Sequence, residues 1–390
     1  MTENLPNPSD FKALRQAGHY VDKTTPLCRL ASHTYSQLWL RPAGFGQSVM
    51  TDALAALFSE GRSALSGLVG AGEWKEVPYK VIRLNFRGLP FCRTSEELEA
   101  ALDDRLLRTL EAAGYRPKSY WGNFPCMNAG FWLDDQPLLS TVILMEDFDL
   151  PMAEHLGEPE LFKTAQGWMD ELTTNIRSAD ASRRAWVMTG TFNFLPGNIF
   201  SGVNYDVDSS LHDELAALVG FTEAEIRQNY AVELARAAAV LSVSEDDVMK
   251  RLASCGGYSF DGIHPNPTTT GVFRTGAVTD FFADPAAGIR PRFFRTQAEE
   301  KAVTAWLRGK TLELTDGVTY ARWDELNAPM LPEDLRIEEV LFAVGCLTLT
   351  ARRNTHWYTL AIPNRTVAEA LECFGVTVDD RTYEERWGSR

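Results

Sequence analysis

Four short runs, 37–41 (QLWLR), 79–86 (YKVIRLNF), 141–145 (TVILM) and 184–188 (RAWVM), are rich in apolar and β-branched residues and end in turn-forming or acidic residues. Longer stretches of helical period separate them. Short continuous apolar runs alternating with helices are the pattern of a mostly parallel sheet buried under helices on its faces. The expected fold class is therefore α/β.

Local signals place individual helices. Thr94 and Glu97 form a T-x-x-E capping pattern ahead of Leu98, Leu102, Leu106 and Leu110, which share one helical face, and Gly114 follows as a stop. From 211 to 252 the helical period continues, with Thr222 and Glu225 opening one helix and Gly256-Gly257 closing the last. The final hundred residues change character, and 339–363 reads as a strand pair (LFAVGCLTLT and HWYTLAIP) turned through Arg352-Arg353-Asn354. These shifts predict a sheet-and-helix domain over 1–208, a helical domain over 209–285 and a small α+β unit over 286–390, with a winged-helix-like arrangement as one form of the last.

Composition narrows the function classes. A net charge of −15 works against non-specific attraction to nucleic acid, although a local basic groove remains compatible with it. No apolar run reaches eighteen residues and the first dozen residues are polar, so neither a membrane span nor a secretory leader is expected, and the cytoplasm is the expected compartment. The six cysteines have no metal-ligand spacing and read as reduced thiols. The six histidines are scattered, and none is assigned to metal or catalysis. The aromatic residues between Tyr115 and Trp132 read as packing of an irregular loop, since Arg116 and Lys118 alone make a thin nucleic-acid groove.

Chemistry begins at 40–50 (LRPAGFGQSVM), where a strand runs into a glycine-containing turn and then a helix. Glycines let the backbone wrap an anion, successive N–H groups point at phosphate oxygens, and the helix N-terminus adds positive potential. Gly44, Gly46 and Ser48 meet those needs. The strand 142–149 (VILMEDFD) ends in a cluster of acids, which a nucleotide site uses for magnesium and for polarising water.

These segments, in this order, resemble the AAA-ATPase-like family of bacterial P-loop proteins. Its members read YVDKT, RPRRFGKS, a strand ending LIDEYD, then TGVSRF and IFSGLNN; here the matches are YVDKT at 20–24, RPAGFGQS at 41–48, LMEDFD at 144–149 and TGTFNFLPGNIFSGVN at 189–204. Further matches are GFTEAEI at 220–226, GYSF at 257–260 with Asn266-Pro267, GCLTL at 345–349, and Ile362-Pro363-Asn364. The resemblance implies a P-loop NTPase fold of the AAA/ASCE type and a bacterial source. It implies ATP and Mg²⁺ as cofactors, with Arg41, Gly44, Phe45, Gly46, Gln47 and Ser48 around the nucleotide, Ser48 and Glu146 on the metal, Asp147 activating water and Asn193 as a polar sensor. Many relatives add a PD-(D/E)XK nuclease-like domain after the segment that 362–367 resembles; with the sequence ending at Arg390, none is expected here.

Departures from the pattern fall on the chemistry. Gln47 stands where the family has its phosphate-binding lysine, Ala43-Gly44 replace two arginines, the Asp-Glu order is reversed at Glu146-Asp147, and Thr191-Phe192-Asn193 replace V-S-R. A neutral amide donates a hydrogen bond but supplies no charge, and charge-assisted bonds are about twice as strong. Such degenerate Walker motifs predict a pseudo-ATPase or weak nucleotide binder working through a protein partner or a homo-oligomer. An active Mg-dependent ATPase with unusual residues is the alternative, rescued by a cation such as Lys23 or Arg41.

Overall fold

The computed structural model describes residues 10–382 except 35, 117, 119–121, 196–205, 270 and 327–331, together with Glu385. The part 196–204 of the segment 189–204 that carries the family resemblance, and Tyr120 and Trp121, lie outside the described residues.

The four apolar runs form strands β1 (Ser36–Leu40), β2 (Lys80–Asn85), β3 (Thr141–Glu146) and β4 (Arg183–Gly190), and a short β5 (Asp206–Asp208) joins them. All pairings are parallel and the order is β2-β3-β4-β1-β5. The chain leaves β1 for the far edge, steps back through β3 to β4, and then crosses to the other side of β1. Open sheets of this kind bind ligands in the crevice outside the carboxyl ends of the strands, where the order reverses. β3 and β4 are buried along nearly their whole length, which explains why they read as continuous apolar runs.

Helices α1 (Phe11–Gln16) and α2 (Thr24–Ser32) pack with α3 (Gln47–Glu60); α4 (Ser95–Ala112), α5 (Pro125–Asp134) and α7 (Pro159–Ser178) form a second group, with the short α6 (Leu150–Ala153) against α7. In α4 the Thr94 hydroxyl accepts from the Glu97 N–H, and the expected leucine stripe Leu98, Leu102, Leu106 and Leu110 is its buried face. The Glu97 carboxylate reaches back to the N–H of Arg93 rather than of Thr94. The aromatic stretch is more ordered than expected: Pro125 opens α5, whose Trp132 is buried against Tyr115, while Phe124 and Phe131 face outward.

Between 211 and 283 the chain is mainly helical: α8 (Glu223–Asn229), opened by the Thr222–Glu225 capping box, α9 (Ala231–Leu241), α10 (Glu245–Leu252) and α11 (Thr275–Ala283). Ile226, Tyr230, Leu234, Val248, Leu252, Val278 and Phe281 make a hydrophobic cluster of their own, which also takes in Val21. The larger cluster runs from Phe11 to Val376 and includes residues of the sheet and of the last hundred residues alike.

The C-terminal stretch holds α12 (Gln297–Leu307), β6 (Thr311–Thr315), β7 (Thr319–Arg322), α13 (Trp323–Leu326), α14 (Ile337–Ala343), β8 (Thr348–Arg352), β9 (Trp357–Ala361), α15 (Arg365–Cys373) and β10 (Thr377–Arg381). β8 and β9 are the expected antiparallel pair, with β7 added on the far side of β9. The expected strand begins too early, however. Residues 341–343 are helical, because Glu339 caps the Arg336 N–H and turns Val340, Leu341 and Val344 into the core on a helical period. β6 and β10 pair in parallel as a separate two-stranded sheet.

Candidate functional site

A cavity of about 260 Å³ opens over the turn that follows β1. One wall is the loop Ala43–Met50; another is apolar and aromatic, with Tyr20, Val21, Leu218, Phe221 and Tyr230; a third carries Thr275 and Gly276 from the start of α11. Four cationic side chains, Lys23, Arg87, Arg292 and Arg295, line it with one carboxylate, Asp280, and each of the four is paired with an acid at or behind the wall.

The loop has the geometry that an anion cradle requires. Gly44 and Gly46 take φ values of 86° and 96°, a left-handed region that costs other residues about 1–2 kcal/mol. Gly46 is the N-cap of α3, and the N–H groups of Gly44, Phe45, Gly46, Gln47, Ser48 and Val49 meet no acceptor among the described residues. They are free to serve a bound anion, with the α3 dipole behind them. The start of α11 buttresses the loop: the Gly44 carbonyl accepts from the Gly276 N–H at 3.0 Å and from the Thr275 hydroxyl at 3.1 Å. Arg274, fully buried, donates to the Ala43 carbonyl at 2.7 Å and to the carbonyls of Arg292, Val344 and Gly345, with the rings of Phe45, Tyr258 and Phe293 around its guanidinium. Two helix N-termini thus converge on one cavity.

Of the expected nucleotide-binding residues, Gly44, Phe45, Gly46, Gln47 and Ser48 line the cavity. Arg41 does not. It lies almost fully buried over the rings of Trp39 and Phe260 and donates to the carbonyls of Leu40, Ser210 and Leu215, and burial pulls its pKa down to about 9. Gln47 donates from its side-chain amide to the Gly190 carbonyl at 2.9 Å, tying the first turn of α3 to the end of β4. Lys23, an expected rescuing cation, reaches the cavity wall but is paired with Glu225 at 2.6 Å; burial lowers its pKa against the pull of that carboxylate.

The acids at the end of β3 are not among the walls, and each is already bonded. Glu146 is held by the Arg83 guanidinium, by the Thr51 hydroxyl at 2.8 Å and by the Asn85 amide at 3.4 Å. Burial works against the Arg83 charge, but Glu146 and then Asp52 hold its pKa above the ordinary arginine value. Asp147, at a left-handed φ of 52°, pairs with Arg87 at 3.1 Å and Arg295 at 3.4 Å. Asp149, fully buried, takes Arg295 through both oxygens at 2.6 and 2.9 Å and also accepts the N–H groups of Thr191 and Phe192. Gly190 is required beside it, since a Cβ there would stand 2.3 Å from a carboxylate oxygen. Arg295 also binds Glu299; burial opposes its charge, and Asp149, Glu299 and Asp147 in that order raise its pKa well above the ordinary value. Asn193 is buried just beyond this turn and does not line the cavity.

The cavity therefore meets Arg87 and Arg295, not the carboxylates that they hold. A magnesium site needs oxygens in near-octahedral array, usually one or two carboxylates with open lone pairs. Glu146 and Asp149 offer oxygens already engaged by guanidinium, hydroxyl or amide donors, so this donor set does not fit the ion, although Ser48 faces the cavity.

The profile of the AAA-ATPase-like family, described as "Predicted AAA-ATPase", matches residues 8–200. Those residues belong to the AAA-ATPase-like family. A protein of Azotobacter chroococcum mcd 1, described as an uncharacterized protein in the vnfD 5′ region, is 26% identical over 222 residues. That alignment covers 55% of this chain and 42% of the relative, so the chain spans under half of the relative's length. Residues 8–200 include strands β1 to β4 of the parallel sheet and the glycine-containing loop after β1. No helix among the described residues is long and apolar enough to cross a membrane.

Sequence reasoning missed Arg83, Arg87, Thr275, Arg292 and Arg295. A signal existed for the last two, since RPRFFR at 290–295 places three arginines in six residues of an acidic chain. A charged residue inside the apolar run of β2 was the corresponding signal for Arg83.

Proposed function

We propose that this chain is a nucleotide-binding pseudo-ATPase: it holds ATP over the loop without turning it over, and acts through a protein partner or a second copy of itself. One contrast supports the reading above all. The loop keeps a fan of N–H groups with no acceptor among the described residues, whereas the carboxylates that hydrolysis would need are bonded to arginines. Hydrolysis calls for a metal-bound phosphate and an oriented water, and catalysis loses rate steeply with misplacement of about 1 Å. Glu146 and Asp147 serve neither role while Arg83, Arg87 and Arg295 hold them. Binding calls for less. The N–H fan and the two converging helix N-termini supply positive potential without a lysine, and the apolar wall of Tyr20, Val21, Phe221 and Tyr230 suits a flat base.

The test pairs a thermal shift with a phosphate-release assay. Wild-type protein is expected to gain stability with ATP, because a ligand that binds only the folded state stabilises it, and to release no phosphate above buffer. Gln47→Lys is expected to tighten binding about tenfold by adding one charge-assisted contact. Turnover at ordinary enzymatic rates, roughly 1 s⁻¹ or faster, would instead establish an active ATPase. Absence of any shift in both proteins would sink nucleotide binding altogether.

A further inference from the structure

The bonded acids have a consequence for what the cavity binds, which rests on the nucleotide reading above. We propose that the chain takes the metal-free nucleotide, with Arg87 and Arg292 meeting phosphate charge in place of a magnesium ion, because Arg83 and Arg295 already occupy the carboxylates that would hold the ion.

Few lone pairs remain open on these carboxylates. On Glu146, one oxygen takes the Arg83 Nε and the other takes the Thr51 hydroxyl, with Arg83 Nη2 at 3.3 Å and Asn85 Nδ2 at 3.4 Å. Asp149 has one oxygen on Arg295 and the other shared by Arg295, Thr191 N–H and Phe192 N–H. The side chains of Glu146, Asp149 and Asp147 are 4%, 0% and 7% exposed, so an entering ion could not bind them from solvent and would have to displace a guanidinium. That displacement is unfavourable twice over. It strips a strongly hydrated ion of water, and it leaves a half-buried arginine with fewer partners than it had.

The cavity offers cations of its own. The Arg87 and Arg292 side chains are 42% and 77% exposed, line the cavity, and each has one acidic partner near the wall, Asp147 at 3.1 Å and Asp280 at 3.2 Å. Arg292 can turn to phosphate oxygens at the small cost of an exposed pair, whereas Arg87 keeps the buried Asp147 on Nη2 and meets phosphate with its remaining N–H donors. Arginine suits this role, as its planar fork meets phosphate through two parallel bonds. Arg295 differs: 2% exposed and fixed on three acids, it frames the cavity and stays where it is.

Calorimetric titration of the whole chain with ATP, once in excess EDTA and once in excess magnesium chloride, tests the inference. The expected affinities agree within about threefold, magnesium chloride alone gives no binding heat, and Arg292→Gln lowers affinity about tenfold in both buffers. Arg83→Gln, which releases Glu146, is expected to bind ATP about tenfold tighter with magnesium than with EDTA. Binding by the wild type only with magnesium would overturn this inference and leave nucleotide binding standing; no heat in either buffer would overturn nucleotide binding itself. An Arg83→Gln protein that folds and remains indifferent to magnesium would remove Arg83 as the group excluding the ion. Arg292 is exposed, so its variant is informative whether or not the Arg83 variant folds.

Discussion

The two sides of the cavity make their chemistry from different parts of the chain. At the β1 side it comes from the backbone: glycines at positive φ turn N–H groups in one direction, and the side chains could be changed without undoing that. At the β3 side it comes from side chains, and there every expected acid has a partner. A neutral glutamine at position 47 leaves the first side usable. Arginines on the second side convert a potential metal centre into a set of internal ion pairs. A site made of backbone survives substitution, whereas one made of carboxylates can be redirected to holding the fold together.

The largest expected effect comes from breaking the ion-paired side. Asp149→Ala would leave Arg295 buried without its main partner and the Thr191 and Phe192 N–H groups without an acceptor, at a cost of about 3–5 kcal/mol. Denaturant unfolding reads this directly. A loss under about 1 kcal/mol would mean that the cluster contributes no more than a surface pair does. Gly46→Ala addresses the other side and should give the opposite profile, costing about 1–2 kcal/mol of stability from its φ of 96° while removing most ATP binding. If that variant bound ATP normally, the N–H fan would not be what receives the phosphates. Thr51→Val is the smallest probe: it removes one of the bonds to Glu146, for about 1 kcal/mol, and should leave ATP affinity in EDTA unchanged.

The parts legible in the sequence were those set by local pattern. Strand positions, the glycine turn, the α4 leucine stripe and the Thr222–Glu225 cap all depend on residues within a few positions of one another, and they stand where the pattern placed them. The ion pairs were not legible, because an arginine announces no partner: Arg295 and Asp149 are separated by 146 positions. Arg41 misled for a related reason. Its place beside the loop suggested phosphate, but rings and carbonyls that fold over it from 210 to 260 enclose it. At 341–343 local pattern itself failed, since apolar residues that alternate acceptably as a strand also fit one face of a short helix, and burial decided for the helix.

Arg274 joins the loop to a segment 231 positions further along the chain. Contacts so distant in sequence are closed late, after the entropy of a long loop has been overcome. During synthesis at about 5–20 residues per second, the glycine turn leaves the ribosome roughly 10–50 s before its buttress exists. A nascent chain that has not reached α11 thus lacks the far wall of the cavity, and on the nucleotide reading proposed above ATP would favour only molecules whose translation has run past α11 and the arginines that follow it.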